Sequence, residues 1–188
     1  MSAPIGDHFV DGDSYGNERR FLLRAPGAVV TVLGPLAWAI TIAGISAGPL
    51  LIAAGFLTAG IPVCAIGLPT AGLAIHAFYQ LSRRWIVLVP AGLVLHDHLA
   101  MKDPTMLPRT QIFSIEPAPL SSKATDLTQG AFGLALEVQC YESVNMRPSN
   151  FSEDMEETTE NMLQSFLFTA ARPDVFLAEA KLRKLPNN

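Results

Sequence analysis

Hydrophobic and polar positions follow two different periods along this chain. From Ala25 through Ser82 there is no Asp, Glu, Lys or Arg. These 58 residues are drawn mostly from Ala, Gly, Leu, Ile and Val. A bilayer span needs about 20 apolar residues at about 1.5 Å each, so the run holds two spans and a turn. Gly48-Pro49 is the strongest punctuation in its first half, because Pro breaks the helical ladder and Gly loosens it. The pattern predicts one helix over about 27–47 and a second over about 55–79, bent at Pro62 and Pro69.

After Ser82 the period shortens to two. "RRWIVLV" (83–89) and "GLVLHDH" (92–98), separated by Pro90-Ala91, predict a β-hairpin. "MLPRTQIFSIE" (106–116) reads as a third strand with Pro108 at its start or on an edge. Residues 117–130 read as loop with room for one short strand. In "FGLALEVQCYE" (132–142) Leu134, Leu136, Val138 and Cys140 share a face, and 142–150 reads as a return strand running into a loop. "SFLFTA" (165–170) is the last expected strand. "RPDVFLAEAKLRKL" (172–185) is an amphipathic helix with Pro173 in its first turn, Asp174 at the positive end of its dipole, and Lys181, Arg183 and Lys184 at the negative end. Val175, Ala178, Leu182 and Leu185 form its expected apolar stripe. Residues 1–18 carry four acids, Pro4 and three glycines with little periodicity, and 1–24 is expected to be a disordered cytoplasmic tail. The fold class is then a membrane α-helical hairpin (25–82) followed by an α+β, mainly-β domain (83–188).

Charge gives the orientation. Arg19, Arg20 and Arg24 precede the apolar run, Arg83 and Arg84 follow it, and its turn carries no cation. The positive-inside rule puts both ends in the cytoplasm, as a multi-pass protein of the cell's inner membrane. Tyr79 and Trp85 lie where amphipathic rings favour the headgroup layer. The Arg19-Arg20 pair also fits the opening of a twin-arginine export signal, with Ala37-Trp38-Ala39 as a cleavage pattern. Under cleavage the second span would still act as a stop-transfer helix, so both readings leave the C-terminal part cytoplasmic. The uncleaved hairpin is the reading taken.

Overall composition narrows the function classes. Hydrophobic residues are 49% and charged residues 16%, below the usual quarter, and the net charge is −4 with no strongly basic segment. Nucleic acid is therefore not an expected partner. Cys64 lies in the apolar run and Cys140 far downstream, so no disulfide is expected. His96 and His98 would point to one side of a strand, but a third and fourth metal ligand are missing nearby, and a polar strand end is the simpler account. His76, near the end of the second span, reads as an interfacial anchor. Glu153, Asp154, Glu156, Glu157 and Glu160 lack calcium-loop spacing and read as a solvated segment that a basic partner could contact. Gly44 and Gly48 are spaced for helix packing, within the hairpin or between copies in a homo-oligomer. No triad, phosphate-cradling loop or paired-carboxylate motif is visible, so no catalytic, metal or cofactor residues are assigned.

An uncharged hairpin ending in basic residues, followed by "RRWIVLVPAGLVLHDH" and "LPRTQIFSIE", resembles the bacterial pleckstrin-homology-like membrane proteins. The resemblance covers roughly 20–116, with Arg109, Gln111 and Ile112 where that family's third strand carries Arg and a polar-Ile pair. It implies a bent antiparallel barrel or sandwich capped by the C-terminal helix. The turn Pro90-Ala91-Gly92 departs from phosphoinositide-binding relatives of that fold, offering no cation to a headgroup. Lys102 in the next connection is flanked by acids, so phosphoinositide-type recognition is not expected. The acidic stretch at 151–161 is a second departure. The reading that follows is a non-enzymatic, membrane-tethered interaction or scaffold module, in contact with the bilayer and a membrane or cytoplasmic protein. The alternative is an accessory or regulatory subunit of a transporter or channel, suggested by Pro49, Pro62 and Pro69. An enzyme using His96 and His98 is the third class considered.

Overall fold

The computed structural model describes residues 18–147 and 162–186. The chain divides into two units, residues 25–83 and the remainder on either side.

The first unit is a helical hairpin. A widened π-helical turn, Val29–Leu33, runs into α1, Gly34–Ala53; α2 spans Leu57–Leu81. The wide turn lies just before Pro35, whose ring would crowd a carbonyl in a regular α-turn. Helix α1 does not stop at Gly48-Pro49 as the punctuation predicts; it runs four residues further. Gly48 is a packing position instead, because a Cβ there would collide with Cys64 of α2. The turn is built by Gly55, with φ +87°. The Phe56 amide donates to the Leu51 carbonyl (2.9 Å) and the Gly55 amide to that of Ile52 (3.0 Å), a Schellman closure needing a left-handed residue. Pro62 and Pro69 lie inside one continuous α2.

Among its described residues the second unit holds eight strands and one helix: β1 Arg19–Leu22, β2 Trp85–Val89, β3 Gly92–His96, β4 Thr105–Pro108, β5 Ile112–Pro117, β6 Thr125–Asp126, β7 Leu136–Asn145, β8 Met162–Phe168 and α3 Pro173–Leu182. They form two sheets, ordered β1-β2-β3-β4 and β5-β7-β8-β6, antiparallel except for the β6–β8 pair. This α+β layout agrees with the expected class and with the expected β2–β3 hairpin. Three expectations are corrected. Residues 19–22 are not tail: they pair with β2 over the register Arg19↔Leu88 to Leu22↔Trp85, so the helical hairpin is an insertion between two neighbouring strands of one domain. The single strand 106–116 is two strands in different sheets, broken at Arg109–Gln111, where the Gln111 amide donates back to the Pro108 carbonyl (2.9 Å). And 142–145 continues β7 beyond an irregularity between Gln139 and Val144 rather than returning.

The two sheets are joined by a Leu23↔Ala170 bridge, with the Arg24 amide donating to the Thr169 carbonyl (2.9 Å) and the Ala171 amide to that of Leu22 (2.8 Å). Between the sheets lies the core, including Ile86, Leu88, Leu93, Leu95, Leu107, Ile112, Ile115, Leu136, Val138 and Phe166, all buried. Phe176 of α3 enters it edge-on to Phe21 (centroids 5.2 Å) and Phe168 (5.3 Å). The buried face of α3 is therefore Phe176 and Ala180, rotated from the expected stripe; Ala178 is exposed and Leu182 is 78% exposed. Leu185 is buried by a different route. Lys184 takes φ +56°, and the Leu185 amide donates to the Ala180 carbonyl (2.9 Å), turning the chain back. Arg109 Nη2 donates to the carbonyls of Arg183 and Lys184 at 2.7 and 2.8 Å, capping the helix end.

Candidate functional site

Strand parity brings together a buried ion pair. On β2 the alternation that buries Ile86 and Leu88 turns Arg84 inward as well; on β3 Leu93 and Leu95 do the same for Asp97. Arg84 is 1% exposed and Asp97 3%. The guanidinium is bidentate: Nε donates to Asp97 Oδ1 at 2.7 Å and Nη2 to Oδ2 at 2.5 Å. Its Nη1 donates to the Arg24 carbonyl at 2.9 Å. Asp97 Oδ1 also accepts the amides of Leu99 (3.1 Å) and Ala100 (3.3 Å), which organises the turn after β3. The Leu23 amide donates to the Arg84 carbonyl at 3.0 Å. Arg24 and Arg84 are the last domain residues before and after the helical hairpin in sequence, so this cluster clasps the two chain crossings together. Around it Leu127, Thr128, Phe168 and Thr169 close the packing, and Thr169 Oγ1 is buried without a hydrogen-bond partner.

The sequence-assigned residues distribute differently from expectation. Arg84 is not an exposed membrane flank; it belongs to the clasp. Arg19 is ion-paired with Glu179 of α3 (2.7 Å), and Arg20 with Glu18 (Nη2 to Oε1, 2.5 Å). Arg24 is exposed, Arg83 lies 5.8 Å over the Tyr79 ring, and Trp85 is half-buried in β2. His96 and His98 are exposed on the outside of the strand end, with Asp97 between them facing inward. No group of three or more potential metal ligands occurs among the described residues. His76 lies 3.2 Å from Gln80 on the same helix turn. Glu153, Asp154, Glu156, Glu157 and Glu160 lie outside the described residues. Burial pushes the Cys140 thiol above its usual range, and both cysteines are free.

In the hairpin Gly44, Gly48, Gly60 and Gly67 face the opposite helix. A Cβ on Gly44 would strike the Gly67 carbonyl oxygen and lie 3.3 Å from the Ala71 methyl; one on Gly60 would lie 2.6 Å from Ile52. The Gly44/Gly48 spacing thus packs α1 on α2. The large apolar side chains face outward: Leu36, Trp38, Ile42, Leu50, Ile61, Ile66 and Leu73 are all exposed. Both helices are long and apolar enough to cross a membrane, at 25 residues each with the π-helical turn counted in the first. None of the most apolar stretch of the first is buried, and almost none of the second. Three of their hydroxyls bond within the helix, Thr41 donating to the Ala37 carbonyl (2.8 Å), Ser46 to that of Ile42 (2.6 Å) and Thr70 to that of Ile66 (2.7 Å).

No protein-family model matches this chain, and no curated protein or solved structure matches it either.

Proposed function

We propose that this chain is a non-enzymatic, membrane-tethered interaction module. Its hairpin spans the bilayer and its strand-rich domain is held at the cytoplasmic face. The observation that carries the reading is the outward apolar surface of both helices. In water each exposed Leu or Ile forgoes roughly 1.5–3 kcal/mol of burial. A hairpin that turns Gly44, Gly48, Gly60 and Gly67 inward and its large side chains outward needs lipid as solvent, and the internally bonded hydroxyls of Thr41, Ser46 and Thr70 suit the same medium. A core helix of a soluble protein would bury that face.

The finer fold reading is a pleckstrin-homology-like domain. A four-stranded meander, a second mostly antiparallel sheet and a capping C-terminal helix support it. The partner reading is a protein, since the Pro90-Ala91 turn offers no cation to a headgroup. The transport alternative rested on broken helices; α1 and α2 run continuously through Pro49, Pro62 and Pro69, so no specific feature favours it. The orientation reading rests on the nascent chain, where Arg19, Arg20, Arg24, Arg83 and Arg84 are all charged flanks before the clasp forms.

The test is cysteine accessibility in intact cells, in a background lacking Cys64. Cysteines at the exposed positions Lys123 and Phe56 report the two sides. An impermeant thiol reagent is expected to label residue 56 and to label residue 123 only after permeabilisation. Labelling at 123 in intact cells reverses the orientation, and recovery of the chain in the soluble fraction without detergent removes the membrane reading.

A further inference from the structure

We infer that the pairing of β1 with β2 is a topological lock: the strand-rich domain completes itself only in a chain whose helical segment leaves and re-enters the same side of the membrane. The inference rests on the reading of residues 25–83 as a membrane hairpin, and otherwise on contacts inside the domain alone.

β1 lies before the helical segment, and the strand it pairs with lies after it. Its four residues pair from Arg19↔Leu88 to Leu22↔Trp85. The Leu23 amide donates to the Arg84 carbonyl (3.0 Å), and the Leu22 carbonyl accepts the Ala171 amide (2.8 Å). Phe21 and Leu23 are buried, and Arg19 is ion-paired with Glu179 of α3. The Arg24 carbonyl accepts one donor of the buried Arg84 guanidinium (2.9 Å). A domain deprived of residues 19–24 therefore loses apolar cover, backbone partners and one of the hydrogen bonds around a buried charge, each of them costly to leave unmade.

None of these contacts forms across a bilayer, whose hydrocarbon is about 30 Å thick against about 3 Å for a hydrogen bond. With two crossings β1 and β2 emerge on one side. With one or three they lie on opposite sides, and the domain stays open. Inside the segment nothing enforces the even number, because residues 25–82, turn included, hold no Asp, Glu, Lys or Arg. The flanking arginines bias each end separately; strand pairing adds a condition on both ends at once. It also acts late. β2 begins 63 residues after β1 ends, so both helices are synthesised before β1 has its partner. Once closed, Arg19 is held by Glu179 and Arg84 by Asp97, and reversing either crossing requires unzipping β1.

The test changes the number of crossings in the full chain, in native membranes, with Cys64→Ala. Buried Cys140 reports folding through its reaction with a membrane-permeant thiol reagent. One apolar helix of about 20 residues, or a hairpin of two, is inserted after Gly55 to give three or four crossings. Companion chains that also lack Cys140 carry Ser2→Cys or Lys123→Cys, and an impermeant reagent shows whether the two ends share a side. The parent and the four-crossing chain are expected to protect Cys140, and the three-crossing chain to react at least about tenfold faster. A second copy of residues 19–24 and a turn of about four residues, placed just ahead of Arg84 in the three-crossing chain, is expected to restore protection, since β1 is then supplied on the domain's own side. Protected Cys140 with the ends on opposite sides overturns the lock. Protected Cys140 with the ends on one side supports it, because closure has then forced a helix out. Exposure in the four-crossing chain overturns it, as does failure of the second copy to restore protection, because the loss would not then follow β1. In the parent, Phe56→Cys and Lys123→Cys labelled from opposite sides keep the hairpin reading even where the lock fails; labelling from the same side removes both.

Discussion

A guanidinium and a carboxylate, both out of water, hold together the strands from which the hairpin departs. Their mutual attraction barely offsets desolvation, so the pair is a weak source of net stability but an expensive thing to break. Arg84→Met leaves Asp97 buried without its partner, and a loss of about 3–5 kcal/mol is expected in chemical unfolding of the chain in detergent. Adding Asp97→Asn to that variant removes the stranded charge while keeping an oxygen for the Leu99 and Ala100 amides, so it is expected to recover part of the loss. A double variant no better than the single one would show that charge is not the issue. This pair was legible in the alternation, since Arg84 and Asp97 share parity with Ile86, Leu88, Leu93 and Leu95. It was hidden because a basic residue after an apolar run looks the same whether it flanks a membrane or folds inward. Cys140 gives a second test at this scale. Burial raises its pKa, so the folded thiol stays protonated while the unfolded one ionises above roughly pH 8.5. Its contribution is fully present below that pH and is lost as pH rises through the folded value. Unfolding free energy is expected to fall more steeply above pH 8.5 in the parent than in Cys140→Ala. Equal slopes would contradict the shift.

At the scale of elements, the features read correctly were local and those missed were not. The β2–β3 hairpin announces itself through Pro90-Ala91 between two alternating runs, and the start of α3 through Pro173 and Asp174. The end of α1 was misplaced because Gly48-Pro49 resembles punctuation, while Gly48 is small for the sake of Cys64, a contact that only tertiary structure reveals. The phase of α3 was misread because Leu185 was counted as helical, though Lys184 turns the chain out of the helix before it. The hairpin's packing makes its own prediction. Gly44→Leu places a side chain against the Gly67 backbone, whereas Gly72→Leu has open space around its Cβ. Gly44→Leu is expected to lower the thermal midpoint in detergent by several degrees, corresponding to about 1–3 kcal/mol of overpacking, and Gly72→Leu to leave it unchanged. A matching drop in both would mean that the two helices do not meet along this glycine line.

At the scale of the whole molecule, the domain is assembled from both sides of the hairpin. Its first strand is the part that sequence reading assigned to a tail. Four residues, two of them arginine, carry little pattern alone, and the partner strand begins 63 residues after β1 ends, beyond the range of any local periodicity. The strand is nevertheless integral: Phe21 and Leu23 are buried in the core, and Leu23 and Arg24 make the bridge to the second sheet. Twin-arginine processing near Ala39 would remove it, exposing the Phe176 ring that Phe21 packs against. Because Leu23 already hydrogen-bonds Arg84, the hairpin is replaceable in principle by an ordinary reverse turn. Joining Arg24 to Arg84 through a glycine-containing loop of about four residues, with 25–83 removed, lies within the range of natural β-hairpin connections. That chain is expected to be soluble without detergent and to unfold cooperatively on heating. A chain beginning at Arg84 is expected to lose that cooperativity, since it lacks β1 and leaves one of the Arg84 donors without the Arg24 carbonyl. Circular dichroism and thermal melts on the two chains decide the matter. If the chain from Arg84 onward melts like the joined one, β1 is an accessory strand and the domain is continuous after all.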